Sequence, residues 1–147
     1  MPTNENARND MRNECEKAYR GNVYELAKID EFFRNYTPDS CISRYTKDSF
    51  IYWLLNKAFR AENIDIIFKF RFFIVDLHHK VEELHRPCTG TLFRGQTMSV
   101  VELQLLKESK NKLVSVNTFF STTKSSDRAI AFSGEGNGLP KSEAILF

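Results

Sequence analysis

Through the first half of the chain, apolar residues recur every three or four positions, the period of a helix with one buried face. Cys15, Tyr19, Leu26, Ile29 and Phe33 fit one amphipathic helix with a weak point at Gly21-Asn22. Residues 1–12 are rich in Asn, Asp and Arg and show no period, which predicts a disordered lead-in. Thr37-Pro38-Asp39-Ser40 predicts a turn or helix start, with Thr37 as the cap and Pro38 at the first helical position. A helix is expected from about Asp48 to Arg60, with Phe50, Trp53 and Leu54 on one face and Ile51, Leu55 and Ala58 beside it. The longest stripe, Ile67, Phe70, Ile74, Leu77, Val81 and Leu84, predicts a helix from Ile64 to about Leu84. Its spacing is that of a heptad repeat, but Phe72, Phe73 and Val75 widen the apolar surface beyond a narrow seam. A core-facing helix in a small bundle fits better than a coiled coil.

After Pro87 the pattern shortens. Thr91-Leu92-Phe93 predicts a strand. Ser99-Val100-Val101-Glu102 reads as a capping box, with Met98 and Leu103 placed as a hydrophobic staple, and starts a helix to about Lys110. Lys112–Val116 and Thr118–Thr122 predict two short strands with Asn117 at the turn. Ser125 caps a brief helix over 126–132, Gly134, Gly136 and Gly138 make a loop, and Ala144–Phe147 predicts a last strand. Helices followed by short strands point to the α+β class, a helical region packed on a small, mostly antiparallel, incomplete sheet.

A length of 147 residues suits a single domain over residues 13–147, with a helical part over about 13–86 and a strand-containing part over about 90–147. The charge balance of 21 basic against 19 acidic residues, a net +2, makes no case for nucleic acid or an anionic membrane as partner. The apolar region from Ile64 to Leu77 is interrupted by Asp65, Lys69, Arg71 and Asp76, and is not a membrane span. No apolar signal-peptide core is found in Met1–Asn13, and Cys15, Cys41 and Cys88 are an odd, scattered set of thiols. Together these predict a cytoplasmic protein. His78, His79, His85 and Cys88 supply one two-residue ligand spacing and no second pair, so no metal is expected. The glycine cluster has a helix before it and a strand after it, the reverse of a dinucleotide fingerprint, so a Rossmann site is rejected.

Chemistry concentrates in two stretches, Leu92-Phe93-Arg94-Gly95-Gln96 and Phe119-Phe120-Ser121-Thr122-Thr123. Arg94 stands at a strand end and offers a planar, permanently charged fork that fits phosphate or carboxylate bidentately. Gly95 leaves the backbone open to close approach by a ligand. Ser121 and Thr122 add hydroxyls that donate or accept. Two such stretches on neighbouring strands make an anion-plus-sugar site.

In this order of elements, Thr91–Phe132 resembles the mono-ADP-ribosyltransferases of the Arg-Ser-Glu class. The likeness is greatest to the arginine-directed enzymes related to the vertebrate ecto-enzymes, in the intracellular form seen in some invertebrates. The helical stretch from Arg44-Tyr45-Thr46 through Leu77-His78 looks like that family's N-terminal region. The resemblance implies an α+β transferase fold and transfer of ADP-ribose from NAD or NADP to a side chain of an unidentified target protein. Arginine is the expected acceptor, and nicotinamide leaves. It implies that Arg94 holds a phosphate of NAD, that Gly95 meets the nicotinamide carboxamide through its backbone, and that Ser121 orders the nicotinamide ribose and the catalytic acid. Thr122 and Thr123 complete the motif, although the family commonly has serine where Thr123 stands. Phe132 would stack on nicotinamide, and Gly134–Leu139 would lie over the dinucleotide. The family's catalytic glutamate stands in a later Glu/Gln-x-Glu motif. After Ser121 this chain has only Asp127, Glu135 and Glu143, none in such a motif. The expectation is therefore an inactive fragment of a transferase domain. Two alternatives stay open: a non-catalytic NAD-binding module, and a helical protein-interaction domain in which Arg94 pairs with a carboxylate.

Overall fold

The computed structural model describes residues 5–47, 49–87, 89–113, 115–133 and 142–146, with the backbone alone at 97, 132 and 142–146. The chain divides into two compact units, one through Arg86 and one from Pro87 onward. The described residues are mostly helical.

The first unit is built from α1 (Glu5–Ala18), α2 (Val23–Asn35), a 3-10 turn (Pro38–Ser40), α3 (Cys41–Thr46), α4 (Phe50–Arg60), α5 (Ile64–Lys69) and α6 (Arg71–Glu83). Residues 5–12 are not a lead-in: they form the first two turns of α1. Ala7, Met11 and Cys15, four residues apart, give this polar helix a narrow buried stripe. Its charged face is tied down by Arg71–Asp10 and Lys69–Glu14 pairs, each at 2.6 Å, and by Arg12 with Asp30. Composition hid a helix whose apolar stripe is one residue wide.

The weak point at Gly21-Asn22 is a full break. Gly21 turns the chain with φ of +87°, and the Asn22 side chain accepts from the Glu25 amide at 3.1 Å to start α2. Phe32 of α2 is the centre of the core. Its ring centroid lies 4.8 Å from Tyr36, 5.0 Å from Phe33, 5.7 Å from Phe50 and 6.2 Å from Phe73. In α4 the buried face is Phe50, Ile51, Leu55 and Ala58, whereas Trp53, placed on one face with Phe50 and Leu54, is 56% exposed. Asn56, buried on the same helix, accepts from the Tyr45 hydroxyl at 3.1 Å and donates to the Tyr52 carbonyl at 2.8 Å.

The expected single helix from Ile64 to Leu84 is broken at Phe70. The ring of Phe70 is fully buried, and its backbone leaves helical geometry at φ −85° and ψ 4°. The heptad stripe dissolves with it. Phe70, Phe72, Phe73 and Leu77 enter the core, while Val81 and Leu84 stay about half exposed.

The second unit holds β1 (Gly95–Ser99), α7 (Val100–Glu108), α8 (Ser126–Phe132) and β2 (Ser142–Leu146). β1 and β2 pair antiparallel, from Gly95 opposite Leu146 to Ser99 opposite Ser142. The capping box forms as expected: the Ser99 amide donates to Glu102 at 2.8 Å and the Glu102 amide donates to Ser99 Oγ at 3.2 Å. Ser125 caps α8, accepting from the Arg128 amide at 3.3 Å.

The expected strands fare differently. Thr91–Phe93 comes down to a single bridge between Phe93 and Thr123, and the strand proper starts after Arg94, at Gly95. Described residues of 112–116 and 118–122 form no strand. Leu113 is fully exposed, and Val116 and Phe120 are about half exposed, so their β-propensity finds no partner strand among the described residues. The glycine loop at 134–138 lies outside the described residues. Among those described, no helix is long and apolar enough to cross a membrane.

Candidate functional site

The bridge between Phe93 and Thr123 positions the two motif stretches. Each residue's amide donates to the other's carbonyl at 2.8 Å, an isolated antiparallel bridge that brings the stretch at Arg94 beside the stretch at Ser121. From there the part-buried guanidinium of Arg94 reaches across. Its Nη1 donates to the Ser121 carbonyl at 2.8 Å and to the Ser121 hydroxyl at 3.1 Å. Its Nε donates to Gln96 Oε1 at 3.0 Å. The guanidinium carbon lies 4.5 Å from the centroid of the Phe120 ring, within cation–π range.

Arg94 and Ser121, 27 residues apart, therefore meet directly. Thr122 is exposed beside them. Thr123 accepts from the Ser125 amide at 3.1 Å through its hydroxyl, which couples the bridge to the start of α8. Gly95 has a packing reason to be glycine. A Cβ built there would collide with the Ala129 carbonyl and come within 2.9 Å of the Ser133 amide, so the close approach is made by the backbone of α8. Phe132 closes α8; the stacking role of its ring lies outside the described residues. Asp127 sits exposed in the first turn of α8, and Glu143 falls opposite Met98 in the β ladder.

Two residues without a role in the sequence reasoning, Gln96 and Phe120, touch the guanidinium. Gln96 was legible: two residues along an extended chain return to the same face as Arg94. Phe120 was not, because its closeness to Arg94 depends on the cross-strand register.

The thiols and imidazoles elsewhere offer less chemistry. Cys15 and Cys41 are free and buried, and burial pushes both thiols up, away from the reactive thiolate. His78 and His79 lie on α6, 3.5 and 3.9 Å from Glu82. Among the described residues, no group of three or more His, Cys, Asp and Glu is placed to hold a metal; Cys88 lies outside them.

No family model, no curated protein and no solved structure matches this chain.

Proposed function

We propose that the region around Arg94 and Ser121 binds NAD or NADP and belongs to a site for transfer of ADP-ribose to a side chain, arginine foremost, of a protein partner. The observation that carries this reading is the pair of hydrogen bonds from Arg94 to Ser121, which joins the two motif stretches at one point. A planar cation beside hydroxyls suits a dinucleotide, whose pyrophosphate calls for charge-assisted donors and whose ribose calls for hydroxyl partners. In this role Arg94 holds a phosphate while Ser121 and Thr122 face the nicotinamide ribose. On this reading the β1–β2 ladder is part of a mostly antiparallel transferase-type sheet.

Loss of nicotinamide leaves positive charge on the ribose, and a carboxylate must stabilise it as it develops. Asp127, Glu135 and Glu143 are the acids that follow Ser121, and none stands in Glu/Gln-x-Glu. The expected behaviour of residues 1–147 is therefore NAD binding with no measurable nicotinamide release. Calorimetric titration of NAD tests the site. Arg94→Ala and Arg94→Lys are each expected to weaken binding by about 1.5–3 kcal/mol, the worth of a charge-assisted contact. A lysine variant that binds NAD as well as the parent would sink the phosphate-fork role. Turnover by the parent that disappears in Glu143→Gln would place the acid in the last strand.

A structural role is the second reading, favoured by the bond from Arg94 to a backbone carbonyl. It predicts no heat of NAD binding and a lower melting temperature for Arg94→Ala.

A further inference from the structure

Arginine is a poor receptor while its long side chain samples many rotamers, because each binding event must then fix it. Among the described residues, Gln96, Ser121 and Phe120 all hold Arg94 before any ligand arrives. Gln96 Oε1 accepts from Nε at 3.0 Å, Ser121 accepts from Nη1 through two oxygens, and the Phe120 ring lies against the guanidinium at 4.5 Å. The Nε bond fixes rotation about the end of the side chain, and the ring limits tilt out of plane. We infer that Gln96 and Phe120 are positioning residues that set the plane of the Arg94 fork for a dinucleotide phosphate. This inference rests on the NAD-binding reading of the site.

Geometry supports the pairing from both directions along the chain. Gln96 follows Arg94 by two residues on an extended segment, so the two side chains leave the same face. Phe120 immediately precedes Ser121, so one short segment delivers both the carbonyl that anchors Nη1 and the ring that stacks on the cation. Phe120 is 49% exposed, so shortening it opens no core cavity and the variants are expected to fold.

The test is titration of NAD into the full chain and its Phe120→Leu, Phe120→Tyr and Gln96→Leu variants, with the Arg94 Nε–Hε resonance followed by NMR. Phe120→Leu keeps apolar bulk but removes the aromatic face, and Gln96→Leu removes the acceptor. Each is expected to weaken NAD about tenfold at unchanged melting temperature, the scale of one lost orienting contact. Each is also expected to shift the Nε–Hε signal and speed its exchange with solvent. Phe120→Tyr, which keeps the face, should restore both readouts. Parent-like affinity in both leucine variants overturns the inference. If the parent itself does not bind NAD, the functional reading falls, and the resonance decides the positioning. A signal protected in the parent and lost in the leucine variants upholds the clamp on Arg94, and one that is the same in all four proteins removes it.

Discussion

Gly21 has its left-handed φ in open space, with no atom within 4 Å of where a Cβ would stand. Gly21→Ala therefore meets only the backbone penalty and is expected to cost about 1–2 kcal/mol in urea unfolding. Gly95 is the opposite case, since its Cβ would run into the Ala129 carbonyl and the Ser133 amide, which no side-chain rotation can clear. Gly95→Ala is expected to cost about 1–3 kcal/mol, the range of overpacking. Its signature is local, with faster amide exchange in β1 and β2 while α1–α6 are unchanged. A uniform loss of protection over both units would show that the collision is not confined to β1 and α8. Both glycines were visible in the sequence, the first as a turn signal and the second as a motif member. For the second a packing reason stayed hidden, because the occupant of the space beside it lies 34 residues downstream.

The helices of the first unit are joined by ion pairs as well as by rings, and the ion pairs bear on its stability in acid. Arg44 of α3 donates to both carboxylate oxygens of Glu31 on α2 at 3.1 Å, and this pairing, helped by Asn35, holds the Glu31 carboxyl below its ordinary range. Lys80 of α6 does the same for Asp39 in the 3-10 turn, at 2.7 Å. With folded-state values depressed, the unfolded chain takes up protons first as the pH drops. The stabilisation is complete above the ordinary carboxylate range and is lost as pH falls through it toward the folded values. The urea midpoint is therefore expected to fall on acidification, and less steeply in Arg44→Ala, whose Glu31 has lost its main partner. An equal acid slope in parent and variant would show that these screened surface pairs do not couple to folding.

The two units differ in how much they bury. The first surrounds Phe32, Phe70 and Phe73 with aromatic and aliphatic neighbours from five of its six helices. In the second, Ala129 and Ser133 are the buried residues among those described, and Val101, Leu105, Leu113 and Phe120 stand exposed. Apolar burial is the main stabilising term, so protection from exchange should be concentrated in the first unit. Hydrogen exchange on the intact chain is expected to find the slowest amides at Phe32, Phe73 and Leu77. Amides of α7 and α8 should exchange orders of magnitude faster, through local opening. Comparable protection in α8 and α6 would mean that the second unit has a core these burial values do not reveal.

The sequence by itself determined what depends on near neighbours. The capping box at Ser99 and Glu102, the cap at Ser125, the break at Gly21-Asn22 and the start at Thr37-Pro38 all form through contacts within about four residues, so local spacing suffices to read them. Tertiary structure decided whatever depends on which distant surface arrives. It turned residues 5–12 into helix by supplying Asp30 and Arg71 as partners, and it broke the long stripe at Phe70 to bury one more ring. It left Trp53 outside while drawing Phe32 to the centre. It also withheld a strand from the described residues of 112–116 and gave one to Gly95–Ser99, because a ladder needs a second backbone and β-propensity cannot supply it. At the candidate site, Arg94 and Ser121 were legible as chemistry. Their contact, and the parts taken by Gln96 and Phe120, came only with the register of Phe93 against Thr123.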